Sequence, residues 1–223
     1  MFAQTQNELH NMKHMSILAV SLLALVACTP EKKQEADYSQ YVNPMIGTDF
    51  TGNTYPGAQV PFGMVQLSPD NGLPGWDRIS GYFYPDTTIA GFSHTHLSGT
   101  GAGDLYDISF MPVTRPYKEA PAPLGIYSTF SHNDEAASAG YYRVLLKDYN
   151  INVELTATER CGIQRYTFPE AEASVFLNLK KAMNWDFTLD SKIEVVDSTT
   201  IRGYRHIPRL VSLAACLFRD PFL

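Results

Sequence analysis

Residues 151–157 read I-N-V-E-L-T-A, with Ile151, Val153 and Leu155 alternating with Asn152, Glu154 and Thr156. Successive side chains of a strand point to opposite faces, so this spacing predicts a half-buried strand with one apolar and one polar side. The pattern is not isolated. Residues 127–132, 141–147, 150–157, 163–168, 173–179 and 192–196 are short runs rich in β-branched and aromatic side chains. Turn signals such as Asp148-Tyr149-Asn150 and Pro169-Glu170 separate them. No window sustains an amphipathic helix. The expected class is therefore all-β, an antiparallel sandwich, and α/β or all-α folds are disfavoured.

Upstream the strands are harder to place. Residues 41–63 hold three prolines and four glycines, which makes them loop and turn. Strands are predicted over 62–67, 79–84, 89–97 and 108–113, with a turn region at 68–77, another turn at Pro85-Asp86, and a bend at Gly99, Gly101 and Gly103.

The N-terminal segment has a different character. Lys13-His14 precedes an apolar run from 15 to 27, and Leu25-Val26-Ala27-Cys28 follows the pattern of a secretory signal with a small residue at the cleavage point. A cysteine directly after such a segment resembles a bacterial lipobox, in which the thiol receives lipid. Those 13 or so apolar residues fall short of the ~20 that cross a bilayer. The expected layout is a lipoprotein signal at 1–27, with Met12 as an alternative start, and a charged tether at 28–39. A β-sandwich is expected at 40–206. The tail, 207–223, reads I-P-R-L-V-S-L-A-A-C-L-F-R-D-P-F-L and breaks the alternation. It is read either as a buried terminal strand or as a frameshifted segment foreign to the fold.

A formal net charge of −6 and the lack of a Lys/Arg stripe argue against a nucleic-acid surface. The three cysteines, Cys28, Cys161 and Cys216, make no disulfide framework and no metal knuckle. Aromatic residues form 12% of the chain, which suits many strands or a sugar-facing surface.

Candidate chemistry concentrates between residues 75 and 107. Trp76, between Gly75 and Asp77, is either a core plug or a platform whose ring packs on the C–H face of a sugar. Asp77 and Arg78 either bind hydroxyls or pair with each other at the surface. His94 and His96 are two apart, which on a strand puts both imidazoles on one face. With Asp104, and with Asp107 also nearby in sequence, they form a candidate metal set, or they are a hydrogen-bonding pair that braces the glycine bend. The glycine run at 99–103 lacks the Lys-Ser/Thr of a phosphate loop and opens no helix. No Gly-x-Ser-x-Gly elbow occurs and nothing pairs Cys161 with a base, so nucleophilic catalysis has no support.

Four runs taken together resemble one family: Y-V-N-P-M-I-G-T at 41–48, Y-P-G-A-Q-V-P-F-G-M-V-Q-L-S-P-D at 55–70, S-G-Y-F-Y at 80–84 and G-F-S-H-T-H-L-S-G-T-G at 91–101. They are similar to the N-terminal domain of glycoside hydrolase family 92, calcium-dependent exo-acting α-mannosidases of gut Bacteroidetes. The resemblance implies a supersandwich of the galactose-mutarotase type, followed by an (α/α)6 catalytic domain that carries the inverting carboxyls and the calcium ligands. It further implies that Trp76 matches the aromatic reaching into the sugar pocket, and that 94–101 lies near the domain interface. On that basis the chain is expected to be a truncated N-terminal fragment for mannose-capped glycans of the α-1,2 type. It is expected to be inactive alone, to lack catalytic residues and bound metal of its own, and to be lipid-anchored through Cys28 in the cell envelope. A stand-alone carbohydrate-binding lipoprotein and a metal-binding sandwich built on His94 and His96 are the rival readings.

Overall fold

A computed structural model describes residues 36–99, 105–121, 124–180 and 187–207, together with the backbone of Cys216–Arg219. The chain divides into Met1–Asp37 and a second compact unit, Tyr38–Leu223, which holds nearly all the described residues. The predicted signal, Met12, Cys28 and most of the tether lie outside the described residues.

In chain order the strands are β1 (Ser68–Asp70), β2 (Thr88–Ile89), β3 (Gly91–Ser93), β4 (Ser109–Thr114), β5 (Glu119–Ala120), β6 (Gly125–Ile126), β7 (Ser128–Thr129) and β8 (Glu135–Ser138). They continue with β9 (Tyr141–Leu146), β10 (Ile151–Ala157), β11 (Gly162–Thr167), β12 (Ala173–Asn178), β13 (Asp190–Asp197), β14 (Thr200–His206) and β15 (Cys216–Arg219). Short 3-10 turns are the helical structure among the described residues. None is long and apolar enough to cross a membrane.

Two four-stranded antiparallel sheets make the sandwich, in the orders β1-β3-β4-β12 and β11-β10-β9-β8. The alternation read in the sequence sets the packing of the second sheet. Ile151 pairs with Leu146, Val153 with Val144 and Leu155 with Tyr142, and all six side chains are buried. They meet Leu67, Ile89, Phe92, Met111 and Val113 from the β1–β4 side in one core. Burying each such side chain contributes about 1.5–3 kcal/mol before entropy is counted. Asn150 takes φ +51 in the β9–β10 turn, a left-handed conformation that asparagine tolerates better than most residues.

β13, β14 and β15 form a separate antiparallel sheet in which β13 is exposed along almost its whole length. Cys216–Arg219, inside the expected foreign tail, pairs its backbone with β14 from Thr200 to Gly203.

The upstream region departs from the expected strands for local reasons. Residues 62–67 make no strand: Phe62 has φ +60 and stands fully exposed after Pro61, while pairing starts only at a single bridge between Ala58 and Leu67. A proline and a left-handed residue in sequence cannot propagate a ladder. Residues 68–70, expected as turn, are instead β1, with all three side chains buried. Residues 79–84 form turns, and Gly81 has φ +93. The 89–97 strand is reduced to β2 and β3 and ends at Ser93.

Candidate functional site

The turn that carries Trp76 is a single 3-10 turn over Trp76–Arg78. Gly75 opens it at φ +147, a value that side-chain-bearing residues rarely adopt. Arg78 N donates to Gly75 O at 3.1 Å and Ile79 N to Trp76 O at 3.3 Å. Trp76 is 52% exposed and Asp77 is exposed. The core-plug reading of Trp76 therefore fails.

Arg78 does not pair with Asp77. It forms a two-point ion pair with the buried Asp86, Nε to Oδ2 at 2.6 Å and Nη2 to Oδ1 at 2.5 Å. Its guanidinium also lies 4.8 Å from the centroid of Phe83. The Asp86 carboxylate raises the pKa of Arg78 above its ordinary value, and the fork geometry fixes the guanidinium in place.

Beneath the turn lies a buried polar layer. Tyr106 donates from its hydroxyl to Ile79 O at 2.5 Å, with Arg78 O at 3.2 Å. Burial, aided by the Asp70 charge, pushes this phenol well above its ordinary pKa, so it remains a donor. His96 stands edge-on to the Tyr106 ring, with centroids 5.4 Å apart at 90°. Its Nδ1 is 2.7 Å from Gln66 O and its Nε2 is 2.9 Å from Asp70 Oδ1, which also accepts from Ser93 Oγ at 3.1 Å. Because a carbonyl only accepts, Nδ1 carries the hydrogen that faces Gln66 O, and Ser93 Oγ also lies 3.2 Å from Nε2.

His94 faces elsewhere. Its Nδ1 donates to Ile108 O at 2.9 Å, and Gln164 Nε2 lies 3.5 Å from its Nε2. Burial lowers the imidazole pKa, which suits this neutral tautomer. The two imidazoles thus have separate partners and do not share one strand face. The reason is local. β3 ends at Ser93, and the facing residues Leu105, Tyr106 and Ile108 all have positive φ, so no regular ladder keeps the two-residue period. Asp104, the third member of the expected metal set, lies outside the described residues. Among the described residues no group of three or more His, Cys, Asp or Glu side chains is arranged to hold a metal ion.

Two partners were not visible in the sequence. Asp107 forms a buried ion pair with Arg205 at 2.6 Å and accepts from Thr95 Oγ1 at 2.8 Å, tying β14 to the segment behind the turn. The buried Glu135 carboxylate accepts from Tyr82 at 2.9 Å and Tyr142 at 2.5 Å, with His132 Nδ1 at 2.7 Å. No spacing rule links residues 98 positions apart, as Asp107 and Arg205 are.

A half-exposed indole on a short turn, with Asp77 next to it in the chain and the Arg78 guanidinium held by Asp86, offers an apolar platform among polar groups. The carboxylates below the platform are already engaged with basic or hydroxyl partners.

Over residues 41–214 the chain matches the Glycosyl hydrolase family 92 N-terminal domain. The chain belongs to glycosyl hydrolase family 92. Among solved structures of family 92, it is similar to the α-mannosidase BT3965 from Bacteroides thetaiotaomicron, also determined in complex with mannoimidazole. That likeness has a TM-score of 0.71 and 42% identity, covering 76% of this chain and 23% of the other in the complex. The inverting mannosidase BT2199 of family 92, from Bacteroides thetaiotaomicron VPI-5482, superposes with a TM-score of 0.60 at 28% identity, covering 78% and 23% of the two chains. An uncharacterized secreted glycosidase from Arthroderma benhamiae is 26% identical over 172 residues, 73% of this chain and 21% of that protein. This family 92 chain therefore spans about a quarter of the length of these relatives.

Calcium takes six to eight oxygen ligands. Among the described residues of this family 92 chain, Asp70, Asp86, Asp107 and Glu135 are held by His96, Arg78, Arg205 and the Tyr82–Tyr142–His132 cluster. These engaged carboxylates do not fit a calcium shell.

Proposed function

We propose that this chain is the N-terminal sandwich of an α-mannosidase acting on mannose-capped glycans, and that it supplies one wall of the sugar site without cleaving the bond itself. The observation that carries this reading is Trp76, half exposed on a pinned turn in a family 92 domain. Its ring packs against the C–H face of a terminal mannose, while Asp77 accepts from hydroxyls. Arg78 holds the turn through its ion pair with Asp86.

The reaction served is exo-acting, inverting and of the α-1,2 type. Inversion needs an acid and a base roughly 6.5–9.5 Å apart with room for water between them. Those carboxyls, and the calcium site, belong to an (α/α)6 helical part that is this sandwich's partner. Cys28 is lipidated, and the segment 28–39 tethers the domain to the outer membrane of the cell envelope.

The test is hydrolysis of α-1,2-mannobiose by the 223-residue chain, with and without calcium. No turnover is expected in either condition. Turnover would mean that the catalytic groups lie within these residues, and the reading would fail.

A further inference from the structure

Trp76 projects from a turn of only three residues, and short surface turns are ordinarily mobile. A sugar platform gains affinity when its aromatic face is held in place before the ligand arrives. Something must therefore fix this turn from within. Arg78 and Asp86 clamp one side of it. The other side rests on a residue that sequence reading passes over.

Tyr106 is 1% exposed and lies under the far end of the turn. Its hydroxyl has one hydrogen to give, and the nearest acceptor is Ile79 O at 2.5 Å, the carbonyl that follows the turn. Two features show that the chain accommodates this tyrosine at a cost. Its own backbone sits at φ +60, an unfavourable region for a bulky residue. Gly81, at φ +93, leaves room for it: a Cβ there would lie 2.3 Å from Tyr106 Cε1. The ring is also held from behind by the edge-on imidazole of His96, itself fixed by Asp70 and Gln66.

We propose that Tyr106 is a positioning residue that fixes the Trp76 turn for sugar binding, through its hydroxyl bond to Ile79 O and its close packing against Gly81. The proposal rests on the reading of Trp76 as a sugar wall. Tyr106 touches no ligand. It acts through the turn alone, and the strain at its own backbone is compensated by the hydrogen bond and by the burial of its ring.

The test uses the full chain with its two tryptophans, Trp76 and Trp185, labelled with 15N at the indole. The Trp76 resonance is assigned by its loss in Trp76→Ala. Methyl α-mannoside is the probe. Tyr106→Phe keeps the ring and removes the hydroxyl; it is expected to broaden or split the Trp76 resonance and to weaken mannoside binding roughly three- to tenfold, the scale of one hydrogen bond. Tyr142→Phe is the control, because that buried tyrosine on β9 loses a comparable bond to Glu135. It is expected to lower the melting temperature while leaving the Trp76 resonance and mannoside binding unchanged.

An unaltered Trp76 resonance in Tyr106→Phe, or an equal change in Tyr142→Phe, would overturn the positioning role. If mannoside leaves Trp76 unshifted in the unmodified chain, the sugar-wall reading fails, while the comparison of resonances still decides the role of Tyr106. Should Tyr106→Phe not fold, amide exchange in the unmodified chain reads the same latch. The Arg78, Ile79 and Gly81 amides should exchange as slowly as those of β10, and fast local opening of the turn would contradict it.

Discussion

His94 is buried with its Nδ1 hydrogen given to Ile108 O, and burial lowers its pKa from the ordinary value. The sign follows from linkage. Below about pH 6.5 the unfolded chain takes up a proton at this position that the folded chain resists, so the stability present at neutral pH is lost as pH falls. The slope from one such group is at most ~1.4 kcal/mol per pH unit. In urea titrations between about pH 7 and pH 5, His94→Gln should flatten the acid-side loss of stability. An unchanged slope would show that His94 is not the group responsible. The His-x-His motif marked where polar side chains would gather. It could not name their partners, because Asp70, Gln66 and Ile108 lie 26, 30 and 14 residues away and meet the imidazoles only through the fold. The same holds for Arg78, which chooses Asp86 over its neighbour Asp77 because a two-point geometry is available there.

At the scale of elements, the β9–β10 hairpin was legible because three signals agree: two-residue alternation, a turn built on Asp148-Tyr149-Asn150, and β-branched side chains. Leu155 lies at the centre of that agreement, fully within the core and opposite Tyr142. Leu155→Ala should cost about 2–5 kcal/mol in a denaturant titration; a loss under about 1 kcal/mol would mean that this face is not the packed one. β1 and β8 were not legible. In β1 every side chain is buried, so Ser-Pro-Asp shows no alternation and reads as a turn. β8 is Glu-Ala-Ala-Ser, whose residues have no preference for strands; it is held by pairing with β9 and by the Glu135 carboxylate that Tyr82 and Tyr142 reach. The positive φ values at Phe62, Gly81, Leu105 and Tyr106 explain the remaining misplaced strands, since backbone hand is set by tertiary packing that local composition does not record.

For the molecule as a whole, two four-stranded sheets close one core that takes in Tyr82, Ile89 and Phe92, while the Trp76–Arg78 turn stays outside it. The fold class and the family were readable because long, varied runs such as 55–70 combine turn chemistry, buried polar residues and core positions in one order. What the sequence left open at the site was which groups face solvent. The structure turns Trp76 outward and sends Asp70, His96 and Tyr106 inward. The proposed division of labour, a sandwich that holds the sugar and a partner that cleaves it, has a direct test. Methyl α-mannoside is titrated into the full chain while the Trp76 indole and the backbone amides are followed by nuclear magnetic resonance. A saturable shift centred on Trp76 is predicted, with a Kd of about 1 mM or weaker, and it should disappear in Trp76→Ala. Binding that persists in Trp76→Ala, or no response at residues 75–84, would contradict the assignment of this turn as a sugar wall.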